Sequence, residues 1–263
     1  MKLLVTDLDG TLLKSDGGVH DDDLRAVKAL AAHGVPVSIA TGRLYSGTRR
    51  YCRELGLRGP VGCADGSQLV DAADDRVLAL HPLPPASVEW LLTVDATPFV
   101  FESDNVHHDK RGAPHLPYVS LWTDQILEHT DLSILRSRET VKVVVLLGAL
   151  EPVMEARERA LAEGLTVIAF PFEDGMGLVV RTGGVDKGTA VEFIARTHGV
   201  ALEDVAVVGD WLNDVPMLKR AGHRFVMGHA NEEVRAHAQH VLDTERGGGR
   251  GLALICGHFG ISL

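Results

Sequence analysis

Two short acidic segments stand out as able to do chemistry in this 263-residue chain: Asp7-Leu8-Asp9-Gly10-Thr11 and Gly209-Asp210-Trp211-Leu212-Asn213-Asp214. Alternate side chains of an extended backbone face the same way, so Asp7 and Asp9 point together. Gly10 permits a tight turn whose free N–H groups hold an anion. Alone, the first segment reads equally well as a solvated turn, because Asp-Gly is a common turn dipeptide. The second segment tips the balance. Carboxylates gathered from two places in one crevice repel unless a cation neutralises them. Oxygen donors with no accompanying His or Cys set point to Mg²⁺, which takes carboxylates together with substrate phosphate. Asn213 or Asp214 also caps a following helix, a role that leaves Asp210 unexplained.

Two further groups suit a phosphate. Ser38-Ile39-Ala40-Thr41-Gly42-Arg43 offers a hydroxyl, a glycine and a guanidinium, and Asp186-Lys187-Gly188 offers one ammonium ahead of a helix. Each alone is weak, since helix-capping threonines and surface lysines are common. In this order they complete a phosphate site from Gly10, Thr41, Gly42 and Lys187. Arg43 is a candidate substrate contact, with a structural ion pair as the competing reading.

The elements that must position these residues follow from periodicity. Leu3–Thr6, Val35–Ala40, Pro60–Ala64, Val205–Val208 and Arg224–Met227 read as buried strands. Asp21–His33, Leu44–Leu55, Thr189–Thr197 and Val215–Arg220 read as helices, with Asp21, Asp22 and Asp23 complementing the dipole of the first. Strands alternating with helices predict an α/β fold with a doubly wound, Rossmann-like parallel sheet. Ligands of such sheets bind beyond the carboxyl ends of the strands, where both acidic segments lie. The middle of the chain reads differently. Ser67–Val70 and Arg76–Leu80 form a hairpin pattern, and a mixture of helices and alternating strands follows: Ala86–Val94, Val141–Leu147, Pro152–Glu163, Thr166–Phe170 and Leu178–Arg181. With hinges at the Pro-rich 82–85 stretch and at Gly183-Gly184, the expectation is a core of residues 1–81 and 184–263 carrying an inserted α+β cap of residues 82–183. Ser103–His115 is the least legible stretch, and its His107 and His108 read as part of a solvated loop.

Composition narrows the classes further. Hydrophobic residues make up 45% of the chain and charged residues 24%, which excludes disorder and low complexity. A net charge of −10 argues against nucleic-acid partners. No apolar run is long enough for a membrane span, and the start of the chain, with acids at Asp7 and Asp9, does not read as a signal peptide. Cys52, Cys63 and Cys256 are odd in number and unpaired in spacing, the pattern of reduced thiols in the cytoplasm. Oligomeric state is not legible.

Taken in order, these motifs resemble the haloacid dehalogenase-like phosphatases of the Cof-type branch, which carry a large α/β cap between their second and third motifs. The resemblance covers nearly the whole chain. It implies that Asp7 is a nucleophile forming an aspartyl phosphate, and that Asp9 protonates the leaving oxygen and then activates water. Thr41 and Lys187 would hold the transferring phosphate, with Asn213 orienting groups around it. The implied Mg²⁺ ligands are the Asp7 carboxylate, the Asp9 carbonyl and Asp210, with Asp214 acting through water. The implied substrate is a small phosphorylated metabolite such as a sugar phosphate. A phosphomutase is the alternative within enzymes, and a phospho-dependent regulator the alternative outside them. Three places depart from the family pattern: Asp65-Gly66 where Asn-Gly is usual, His229 where Asn is more common, and the Gly- and Arg-rich tail Thr244–Gly251. Trp211, bulky and inside the acidic loop, is expected to pack locally.

Overall fold

The computed structural model describes residues 1–172 and 175–263. Two compact units emerge, one built from Met1–Thr41, Tyr51–Leu78 and Asp186–Leu263, the other from Gly42–Arg50 and Ala79–Val185. In chain order the strands are β1 (Leu3–Thr6), β2 (Val37–Ile39), β3 (Pro60–Cys63), β4 (Gln68–Asp71), β5 (Arg76–Leu80), β6 (Thr97–Glu102) and β7 (Asn105–Asp109). They continue with β8 (Ile126–His129), β9 (Val141–Gly148), β10 (Thr166–Phe172), β11 (Gly175–Arg181), β12 (Val205–Gly209), β13 (His223–Val226) and β14 (His240–Val241).

In the first unit β1 is the hub of a parallel sheet ordered β14-β13-β12-β1-β2. Leu3, Leu4, Val5 and Thr6 are all fully buried, as expected of a strand covered on both faces. The register pairs Thr6 with Val208 and with Ile39, so β1, β12 and β2 end side by side. The Lys187–Thr197 helix buries Ala190, Val191, Ile194 and Ala195, one face at helical spacing, against Val5, Val205, Val207 and Met217. Asp21, Asp22 and Asp23 all lie in the first turn of the Asp21–Ala32 helix, and the fully buried Asp23 has a second role. Its carboxylate accepts from the backbone N–H groups of Arg250 and Ala253 at 2.7 and 3.0 Å, capping the Gly251–His258 helix.

One expected core strand is placed differently. β3 meets the core sheet through a single parallel bridge, Ala40 to Gly62, and pairs antiparallel with β4 along its length in a separate sheet ordered β3-β4-β5. The hairpin that follows satisfies its backbone.

The second unit holds a sheet ordered β10-β11-β9-β6-β7-β8, antiparallel except between β7 and β8. Its helices Pro85–Leu91 and Leu150–Ala162 bury Val88, Leu91, Val153 and Ala160 with Val100, Val144, Leu146, Leu178 and Val180. His107 and His108 are not in a solvated loop. They lie on β7, 5% and 2% exposed, one on each face of the strand. Two consecutive buried polar residues defeat an alternation rule, which is why β7 escaped the sequence pattern. Among the described residues, no helix is long and apolar enough to cross a membrane.

Candidate active site

The site is built on strand ends. Asp7 follows β1 directly, and its N–H donates to the Val208 carbonyl of β12 at 3.0 Å, so the last pairing of the sheet fixes its backbone. Asp210 follows β12, and Asp214 lies four residues on, after a short turn. One carboxylate oxygen from each of Asp7, Asp210 and Asp214 falls within 4.8 Å of the others, and all three residues are buried. Lys187 enters from the first turn of its helix, 1% exposed, and donates to Asp7 Oδ1 and Asp214 Oδ1, both at 2.6 Å. A buried ammonium at a helix N-terminus opposes the dipole, so these carboxylates are what hold it there. Asp186 positions the helix through a capping box, accepting from Thr189 N–H at 2.8 Å.

Close approach explains two glycines. A Cβ at Gly10, where φ is +78°, would meet Asp210 Oδ2 at 2.4 Å. A Cβ at Gly209 would meet the Asp214 carboxylate at 2.4 Å. Asp214 is fully engaged: beyond Lys187, its Oδ2 accepts from Asp210 and Trp211 N–H at 2.8 and 2.9 Å, which folds the acidic loop onto itself.

Electrostatically the cluster is in deficit. Burial pushes the Asp7 carboxyl well above the usual carboxylate range; Lys187 pulls it down, while Asp214, Asp210 and Asp9 push it up again. Burial likewise raises Asp214 against the pull of Lys187. Burial works against the Lys187 ammonium, but Asp214 and Asp7 outweigh it and raise its pKa. Three carboxylates thus converge, and Lys187 bonds two of them. A divalent cation fits this donor set, because hard oxygen ligands with excess negative charge are what such an ion requires.

The other expected residues are distributed around this cluster. Thr41 lies two residues past the end of β2, with its N–H on the Gly62 carbonyl and its own carbonyl accepting from Asp65 N–H, each at 2.9 Å. Asp9 and Gly10 are half-buried in the turn after Asp7. Asn213 donates to Asp65 Oδ1 at 2.8 Å. Gly42 and Arg43 fall in the second unit, where Arg43 is 5% exposed and donates to the Gly47 carbonyl at 3.4 Å. Trp211 is 40% exposed rather than packed into its loop. Sequence reasoning did not find two partners of Asp210: Thr11 Oγ1, 3.0 Å from Oδ1, and His229 Nε2, 3.1 Å from Oδ2. Thr11 was visible as part of the first acidic segment, and His229 only as an unusual residue after β13.

A family model described as haloacid dehalogenase-like hydrolase matches residues 4–252. A phosphoglycolate phosphatase of Methanopyrus kandleri is 26% identical over 247 residues, covering 94% of this chain and 93% of that protein. The 5-amino-6-(5-phospho-D-ribitylamino)uracil phosphatase of Bacillus subtilis is 26% identical over 246 residues, covering 93% and 90%. A solved haloacid dehalogenase-like hydrolase from B. subtilis superimposes with a TM-score of 0.83 at 23% identity, covering 98% of this chain and 99% of that one, a likeness of fold.

Proposed function

The chain belongs to the haloacid dehalogenase-like hydrolase family, and from that premise we propose that it is a Mg²⁺-dependent phosphatase of a small phosphorylated metabolite, working through an aspartyl phosphate. The observation that carries this reading is the buried convergence of Asp7, Asp210 and Asp214 at the ends of β1 and β12, with Lys187 bonded to Asp7 and Asp214. The phosphatases to which it is similar along most of their length support it.

In the proposed reaction an Asp7 oxygen attacks phosphorus, and the bond from phosphorus to the ester oxygen breaks. Asp9 gives its proton to that leaving oxygen. Asp9 then takes a proton from water as the water oxygen attacks the aspartyl phosphate, releasing phosphate and restoring Asp7. Splitting the displacement in two lowers each barrier. Lys187, the Thr41 hydroxyl and the Gly10 backbone bear on the phosphoryl oxygens, where the transition state concentrates charge. Asn213, tied to Asp65, orients that set. Asp7, the Asp9 carbonyl, Asp210 and Asp214 would hold Mg²⁺, which supplies charge neutralisation at the phosphoryl group when bound. Choice of leaving group is assigned to the inserted segment, residues 82–183, with Arg43 as a candidate substrate contact. The buried Cys52, Cys63 and Cys256, none in a disulfide among the described residues, support a reducing, cytoplasmic setting.

The test is phosphate release from a panel of phosphorylated metabolites with and without Mg²⁺, alongside Asp7→Asn. Release is expected to need the metal and to fall by at least about 10³-fold in the variant, the scale seen when a covalent nucleophile is removed. The variant should remain folded, because losing a charge relieves a crowded site. Sustained turnover in Asp7→Asn would refute the covalent route.

A further inference from the structure

Asp210 is restrained at both oxygens. Thr11 Oγ1 donates to Oδ1 at 3.0 Å, and His229 Nε2 lies 3.1 Å from Oδ2. The histidine sits in the turn after β13, where Met227 N–H donates to the Gly209 carbonyl at 3.1 Å and Ala230 N–H to the Met227 carbonyl at 3.0 Å. That turn is therefore stitched to the end of β12, one residue before Asp210. The His229 side chain is 10% exposed, and its other nitrogen, Nδ1, is buried with no hydrogen-bond partner among the described residues. An ionised carboxylate only accepts, so the proton on Nε2 is the one that joins the two groups.

We propose that His229 is a positioning residue of the cation site: by donating from Nε2 it fixes the rotation of the Asp210 carboxylate and sets the affinity of the Asp7–Asp210–Asp214 cluster for a divalent cation. This rests on the metal reading above. The terminal torsion of an aspartate is broad, so a carboxylate without anchors samples orientations in which it cannot serve a shared ion. Groups that hydrogen-bond a ligating carboxylate typically contribute 10–100-fold in metal affinity, a range of about one to two decades.

Reach makes the assignment specific. The Nε2 of a histidine extends as far beyond Cβ as the amide nitrogen of a glutamine, whereas an asparagine amide extends only as far as Nδ1. At position 229 the Nδ1 location meets no partner. Asparagine would place its donor at that location, away from Asp210 Oδ2. Thr11 would then be left to hold Asp210 from one side alone.

The experiment is direct titration of the full chain with Mn²⁺, followed by electron paramagnetic resonance, for wild type, His229→Gln, His229→Asn and His229→Leu, with thermal unfolding of each. The Asn and Leu variants should bind Mn²⁺ about 10–100-fold more weakly, and Gln should stay within about threefold of wild type. At saturating metal, the KM for substrate should move little in any of them. Equal Mn²⁺ affinity across all four proteins would overturn the proposal. So would a Gln variant as weak as Leu, which would make ring packing the cause. Should one variant unfold, the others decide the matter, since Asn and Gln predict opposite results. A wild type that binds no Mn²⁺ would refute the metal reading itself, a distinct outcome that removes this inference with it.

Discussion

Each unit of this chain buries a cluster of ionisable side chains beside its sheet, and the two clusters are settled differently. At the ends of β1 and β12, Asp7, Asp210 and Asp214 converge, Lys187 bonds Asp7 and Asp214, and burial leaves those two with raised pKa values. At the end of β6, burial also pushes Glu102 upward, but hydroxyls of Thr140 and Ser103, with the charges of His107 and Arg138, hold its carboxyl below the usual range. His107 lies beside that second network, its Nε2 3.4 Å from Glu102 without a hydrogen bond, its Nδ1 2.8 Å from His129 Nε2, and its ring stacked on His129. The lesson is that burial of charge does not by itself mark a reactive site. The Glu102 network is answered by its own neighbours, whereas the Asp7 cluster is left wanting a cation, and a group left wanting a partner is what a ligand exploits.

Removing the compensating charge should separate the two most sharply. Lys187→Met takes the ammonium partner from two buried carboxylates, Asp7 and Asp214, at an expected cost of about 3–5 kcal/mol in metal-free buffer. Mg²⁺ should return part of that stability, read as the urea midpoint with and without the ion. A variant indifferent to Mg²⁺ would break the claim that this cluster is the one in deficit. Glu102→Gln should cost less, about 1–3 kcal/mol, since it leaves the Thr140 and Ser103 hydroxyls with a poorer acceptor. Its midpoint should not depend on Mg²⁺. A metal response there would erase the distinction from the other side.

Legibility in the sequence divides along the same line. β1, β12 and the Val215–Arg220 helix were readable because fully buried strands and an amphipathic helix follow simple hydrophobic periods. The Asp7, Asp210, Asp214 and Lys187 set was readable because strand ends in such a sheet bring short motifs together. What escaped depends on contacts between residues distant in sequence. Asp23, in the first turn of its own helix, also caps a helix that starts near residue 251. β7 hid because His107 and His108 are buried by aromatic and histidine partners, including Phe99 at 5.9 Å, that no local pattern announces. The role of His229 beside Asp210 depends on β13 lying next to β12, a fact of topology.

The finest contrast lies in pH dependence, where the two clusters carry opposite signs. Burial holds His107 below its ordinary 6.5. Below about pH 6.5 the unfolded chain therefore takes up the proton before the folded one does, and stability declines as the pH drops toward the folded value. Glu102, held below 4.5, contributes stability that is present above that pH and is lost further into acid. Asp7 and Asp214, raised above 3.8, act the other way in the absence of a cation. There the folded chain binds the proton first, and stability from these groups rises as the pH falls through their folded values. A whole-chain profile mixes both, so the informative quantity is the difference between wild type and His107→Gln. Between pH 7 and 5.5 that difference should narrow on acidification by up to about 1 kcal/mol, because the variant has no ring to protonate. Measured as urea midpoints in metal-free buffer, parallel profiles would mean that His107 titrates alike folded and unfolded. Its network would then be as open to solvent as the Asp7 cluster is closed.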